Sequence, residues 1–205
     1  MSLDAERLRA LRAALTAALT LDDSDTATAD EIALVKHFVA RADPEPAFIP
    51  ETTRHPLIAH IAPAIAATAK RFPDLASALH RVAAGLPWRY GYGARADLPG
   101  LETRMGYAEI VGPAAPFRSK EVCLGVTLLA PQTVYPAHRH PAVELYRIVA
   151  GRPQWTVEDD TRQLEPPAIV LHRSGAAHAM ASKGEALLAI YSWTGDVVSP
   201  SVWRE

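Results

Sequence analysis

Apolar positions along the first 86 residues recur at three- and four-residue steps. Leu8, Leu11, Leu15 and Leu19 form one stripe, which predicts an amphipathic helix. Thr28 and Glu31 have the spacing of a capping box, in which each side chain satisfies a free N–H at a helix start. Ile32, Val35, Phe38 and Val39 then give that helix its buried face, and Pro44 and Pro46 stop it. His55-Pro56 opens a third helix running to about Arg71, with a kink expected at Pro63. A fourth starts at Pro73-Asp74 and ends at Gly85 and Pro87. From Trp88 the composition turns to Tyr, Gly and Pro, so 88–103 reads as an irregular connector; its aromatics and Arg89 either link or line one end of a pocket. Beyond it the period shortens. The runs 105–111, 122–130, 143–150, 154–158, 168–172 and 186–193 are β-rich and separated by turn residues. The chain thus divides into a helical N-terminal extension (1–87), the connector and a β domain (104–205). Antiparallel strands at this spacing suit a small barrel or jelly roll, and the fold class is mainly β.

Within the β domain one stretch concentrates chemistry: Tyr135-Pro-Ala-His138-Arg-His140-Pro-Ala-Val-Glu144-Leu-Tyr146. Side chains alternate on a strand, so His138 and His140 point one way, as do Glu144 and Tyr146, with Pro141 separating the pairs. Two imidazoles and a carboxylate suit a borderline divalent metal that lacks one more ligand. Burying three such groups without a metal is expensive. A candidate fourth ligand lies in His172-Arg-Ser-Gly175-Ala-Ala-His178-Ala-Met180, at His178. His172 reads as a hydrogen-bonded core residue. His37, His55, His60 and His80 fall in the helical part and read as solvated or packing residues.

Composition narrows the function classes. A chain of 205 residues with 49% hydrophobic and 21% charged residues can build a core. A net charge of -2 leaves no basic footprint for nucleic acid or an anionic membrane. The single cysteine, Cys123, cannot form an intrachain disulfide; it fits a reducing compartment and reads as a small core residue in an apolar run. Neither a signal peptide nor an apolar run of about 20 residues is visible, and a cytoplasmic protein is expected. No repeat, low-complexity tract or glycine-rich phosphate loop appears.

The pattern H-x-H-x3-E-x6-G, ending at Gly151, followed by G-x2-H at Gly175 and His178, resembles the two signature motifs of the cupin superfamily over about residues 104–198. Gln132 stands where the first motif usually opens with glycine. Pro167, Arg173 and Ser182 stand where the second usually has glycine, proline and asparagine. The resemblance implies a cupin jelly-roll barrel with His138, His140, Glu144 and His178 as metal ligands. Adding the tyrosines, Y-x2-H-x-H-x3-E-x-Y with H-R-S-G-x2-H-A-M and a helical extension resembles more narrowly the cupin-type dimethylsulfoniopropionate (DMSP) lyases of marine bacteria. That resemblance implies β-elimination of DMSP, a small zwitterionic carboxylate, to dimethyl sulfide and acrylate. A divalent Zn, Fe, Mn, Ni or Co ion would bind the carboxylate, Tyr146 would take the proton and Tyr135 would orient the substrate. A phenol beside a cation has a reason for a lowered pKa.

The sulfonium end calls for aromatic faces. Candidates are Trp88, Tyr90, Tyr92, Trp155, Tyr191 and Trp193, with Trp193 first because it ends a strand, and Trp88, Tyr90 and Tyr135 beside it in the substrate-binding set. Three rivals stay open: a relative acting on another small carboxylate, an Fe(II)-dependent dioxygenase, and a non-catalytic sensor. A homodimer is also left open.

Overall fold

The computed structural model describes residues 3–20, 25–52, 54–93 and 95–204. Helix α1 (Ala5–Ala18) buries Leu8, Leu11 and Leu15, and Leu19 follows them into the core. Asp4 caps it by accepting the Arg7 N–H at 2.9 Å. Helix α2 (Thr26–Arg41) begins earlier than the Thr28/Glu31 spacing predicts. Asp25 is its cap, accepting both the N–H of Thr28 at 3.0 Å and its hydroxyl at 3.1 Å. A carboxylate that takes two bonds at a helix N-terminus outcompetes a single hydroxyl. Glu31 is thereby free to accept the Thr194 hydroxyl at 2.6 Å, tying α2 to the sheet.

The third predicted helix is two pieces, a 3-10 turn at Pro56–His60 and then α3 (Ile61–Thr68). Pro63 lies in the first turn of α3, where its missing N–H has no intrahelical partner to lose. The break expected at Pro63 falls instead where the helix type changes. Helix α4 (Pro73–Val82) starts on its proline as expected, and a single turn, α5 (Leu101–Arg104), leads into the sheets. No helix among the described residues is long and apolar enough to cross a membrane.

The strands are β1 (Met105–Gly112), β2 (Phe117–Arg118), β3 (Val122–Leu129), β4 (Val134–Arg139), β5 (Val143–Ala150), β6 (Gln154–Val157), β7 (Asp160–Gln163), β8 (Ile169–His172), β9 (His178–Ala181), β10 (Leu187–Thr194) and β11 (Val202–Trp203). They form a six-stranded sheet in the order β2-β1-β3-β10-β5-β8 and a five-stranded one in the order β11-β4-β9-β6-β7. This is the mainly β jelly roll with N-terminal helices that the pattern predicts.

The larger sheet is buried on both faces. Leu124, Val126, Leu188 and Ile190 pack into the helical core, while Cys123, Leu129, Leu187 and Tyr191 face the smaller sheet. Every residue of β3 is buried, which explains its continuous apolar run in place of alternation. The helices therefore act as the outer cover of the sheet that carries Glu144 and Tyr146.

Gly151 turns the chain from β5 towards β6. Its φ is +90°, and a Cβ there would stand 2.4 Å from the Ala186 carbonyl oxygen. Only glycine fits both the left-handed backbone and the close approach. Gly151→Ala should cost about 2–4 kcal/mol, read as a lowered urea midpoint; an unchanged midpoint would contradict this packing.

Candidate functional site

β5 supplies the centre. Alternation turns Glu144, Tyr146 and Ile148 inward and Leu145 and Val149 towards the helices. His138 lies on β4 directly opposite His178 on β9, and Glu144 lies opposite His172 on β8. The two sheets thus bring their imidazoles together around the carboxylate. Glu144 Oε2 stands 2.9 Å from His140 Nε2 and 3.0 Å from His178 Nε2. The ligand atoms of His140, Glu144 and His178 all lie within 4.8 Å of one another. His138 adjoins them, its ring 4.1 Å from that of His178 and 6.4 Å from that of His140. All four side chains are buried.

The hydrogen bonds define what these rings present. His138 Nδ1 lies 2.8 Å from Pro136 O, His140 Nδ1 3.1 Å from Ala142 O, and His178 Nδ1 3.0 Å from Ala176 O. A carbonyl only accepts, so each Nδ1 carries the proton and each Nε2 presents a lone pair. Such back-bonding is how ligand histidines are oriented. In the neutral rings, the Nε2 lone pairs of His140 and His178 therefore face a carboxylate oxygen at hydrogen-bond distance with no proton between them. Among the described residues, the buried His178 Nε2 has no hydrogen-bond partner. Buried acceptors crowded on an anion need a cation among them. Ligand atoms about 2.1 Å from one ion and at right angles stand about 3 Å apart, which is the spacing found from Glu144 to each of His140 and His178. The cluster can hold a divalent metal.

Electrostatics follow from burial. Burial alone would raise the Glu144 carboxyl, but wherever a proton sits between it and the His140, His172 or His178 ring, that hydrogen bond outweighs burial and holds it well below the usual carboxylate range. Burial and the neighbouring His178 push His138 well down, and burial lowers His172 to about 4, so both rings are neutral at pH 7. His172 differs from the others in its bonding. Its Nδ1 is 3.2 Å from Glu144 Oε2, and its Nε2 accepts the Trp155 indole N–H at 3.0 Å.

Tyr146 and Tyr135 reach the same cavity from opposite sheets. Burial holds both phenols well above 10, with the Glu144 charge adding to the effect. Tyr135 stacks on His138 with centroids 4.0 Å apart, and its hydroxyl is hydrogen-bonded to that of Tyr92. Trp193 lies 4.3 Å from the His140 ring and donates its N–H to Glu144 Oε1 at 2.7 Å, so it braces the carboxylate as well as lining the wall. Trp88 turns away. It is buried in the helical core and donates to Ala83 O at 2.7 Å. Tyr90 packs on Tyr92 at 5.6 Å and does not line the cavity either.

The cavity measures about 380 Å³ and extends from the imidazoles to a second polar wall. There Tyr191 donates to Glu109 Oε2 at 3.3 Å and Arg89 stands 3.3 Å from Glu109 Oε1. Gly125 makes this possible, because a Cβ there would lie 2.8 Å from Cε1 of Tyr191. Glu109, Tyr107 and residues 197–201 are wall residues that the sequence pattern did not single out, since none belongs to a motif. Cys123, read as core, also lines the cavity; burial and Glu109 push its thiol up, which keeps it protonated.

The sequence profile of the dimethylsulfoniopropionate lyase family matches residues 10–189. Over 124 residues the chain is 37% identical to a protein described as a candidate DMSP lyase, DddL, of Cereibacter sphaeroides. Over 117 residues it is 32% identical to the DMSP lyase DddQ of Ruegeria pomeroyi. These alignments take in 59% and 56% of this chain, and 51% and 58% of the relatives. The chain thus aligns with a little over half the length of the curated relatives it matches. The crystal structure of DddQ from Ruegeria pomeroyi superposes with a TM-score of 0.70 at 25% identity, covering 95% of each chain. A structure from work on the DMSP lyases RdDddP and RnDddQII gives a TM-score of 0.71 at 25% identity, covering 95% of this chain and 100% of that one.

His138 and His172 titrate lower in the folded protein than the ordinary 6.5 of an unfolded chain. The unfolded state binds the extra protons, so stability is complete above about pH 6.5 and declines as pH falls towards the folded values. Glu144, also lowered, extends the decline to more acidic pH. His172 alone accounts for a loss of about 2 kcal/mol by pH 5 and about 3 by pH 4. Urea unfolding of chelator-treated protein at pH 7 and pH 5 measures this; equal stability at both would contradict neutral buried rings.

Proposed function

The chain belongs to the dimethylsulfoniopropionate lyase family, and from that membership we propose that it is a metal-dependent carbon–sulfur lyase. It splits DMSP into dimethyl sulfide, acrylate and a proton. The observation that supports this reading is the alternation of Glu144 and Tyr146 on β5, which opens the carboxylate of the histidine cluster and a phenol into one buried cavity.

His138, His140, Glu144 and His178 would hold the ion, each histidine through Nε2. A divalent ion there supplies Lewis-acid polarisation of a substrate carboxylate and a positive field that offsets the Glu144 charge opposing a Tyr146 phenolate. As the phenolate, its own proton already released to solvent, Tyr146 accepts at Oη the proton from the carbon next to the substrate carboxylate. The electron pair left behind forms the C=C bond as the β C–S bond breaks, and the sulfur leaves as neutral sulfide. Such base catalysis contributes about 10²–10⁴ in rate. Tyr135, held by Tyr92 and stacked on His138, orients the carboxylate end. The sulfonium end meets aromatic faces from Trp193, Tyr191 and Tyr107, each worth about 0.5–2 kcal/mol. Beyond them, the Glu109 carboxylate places negative charge on the far wall. Burial of the whole cluster excludes water from these steps.

Headspace detection of dimethyl sulfide from metal-reconstituted protein tests the reaction. Tyr146→Phe should lower release at least about 100-fold while metal content stays unchanged. His140→Ala and Glu144→Ala should lose bound metal and activity together. No release from fully loaded parent protein would remove the reaction, and full turnover in Tyr146→Phe would remove the base.

A further inference from the structure

We propose that His172, braced by Trp155, is a positioning residue that locks the Glu144 carboxylate into its ligating orientation. The inference rests on the metal reading above and deepens it. Trp155 comes from β6 in the smaller sheet, whereas His172 ends β8 in the larger one, directly opposite Glu144. An indole N–H only donates. The 3.0 Å contact from Trp155 Nε1 therefore makes His172 Nε2 the acceptor and leaves the ring proton on Nδ1. That proton points at Glu144 Oε2, 3.2 Å away, and is donated to it.

Both nitrogens of His172 are thus occupied by protein, which sets it apart from the three rings whose Nε2 presents a lone pair. Trp193 donates to the other oxygen, Oε1, at 2.7 Å. One donor on each oxygen fixes the plane of a group whose terminal torsion is otherwise broad. What remains of Oε2 is directed at His140 and His178. The His172 ring also stacks on His178, with centroids 3.8 Å apart and planes 22° from parallel. One imidazole therefore sets the orientation of two ligands. Without Trp155 the ring is free to take the other tautomer, which would turn a lone pair onto the carboxylate and break the bond.

The test is zinc affinity of chelator-stripped protein, measured by competition with a chromogenic chelator, alongside melting of each metal-free variant. His172→Leu removes the donor. His172→Asn keeps an amide N–H near the Nδ1 position, and Trp155→Phe removes the indole N–H. His172→Leu and Trp155→Phe should weaken zinc binding about 10–100-fold, and His172→Asn should recover most of the loss while melting no higher than His172→Leu. Parent-like affinity in Trp155→Phe or His172→Leu would overturn the proposal, as would an equal loss in His172→Asn and His172→Leu. Parent protein that takes up no zinc would instead sink the metal reading, and this inference with it. If His172→Leu does not fold, Trp155→Phe and His172→Asn decide alone.

Discussion

The structure depends on one buried carboxylate. Glu144 sits where an anion is costly, and the nearby Nε2 atoms of His140 and His178 are acceptors as well. A cluster of this kind is stabilised by a cation inside it and by donors around it. Trp193 and His172 supply those donors from either side. The helices contribute by covering the back of the larger sheet, which keeps the strand carrying Glu144 away from water on its other face. The helical half is thus bound to the chemistry through burial, although none of its described residues lines the cavity wall.

Two rungs across the larger sheet organise the cavity. One runs from Cys123 through Trp193 and Glu144 to His172, and the next from Gly125 through Tyr191 to Tyr146. Strand pairing fixes these neighbours, so the distance between the carboxylate and the phenol is a property of the sheet and not of a loop. The smaller sheet completes the arrangement with His138, Tyr135 and Trp155. The large interior residues Trp155 and Tyr146, with rings 5.0 Å apart, pack between the two sheets.

Much of this was legible in the sequence. Period-two placement put His138 with His140 and Glu144 with Tyr146, and the long strands β1, β3, β5 and β10 stood out as β-rich runs. The short strands were harder. β4 contains Pro136, β7 is exposed throughout and β11 has two residues, so none carries an alternating apolar pattern. Asp25 displaced the predicted cap because a carboxylate offers two acceptors where Thr28 offers one. Trp88 looked like a pocket aromatic by composition, but its indole N–H is donated to a carbonyl in the helical core. The role of His172 was invisible because it depends on Trp155, from the other sheet, and on which nitrogen that indole faces. Trp203, which stacks on Tyr92 at 4.0 Å, gave no signal either, since its pairing with β4 is set by three-dimensional register alone.

Strand β10 lies between β3 and β5, pairing with both along its length. On a growing nascent chain, β3 and β5 are made some forty to sixty residues before the strand that joins them. Until residues 187–194 leave the ribosome, each of those strands lacks this partner along one edge, exposing apolar surface and unpaired backbone. Trp193 and Tyr191 arrive with β10, and Trp203 later still. The carboxylate at the centre of the site is therefore synthesised well before one of its braces, and the cavity wall is complete only once residues 191–201 have emerged.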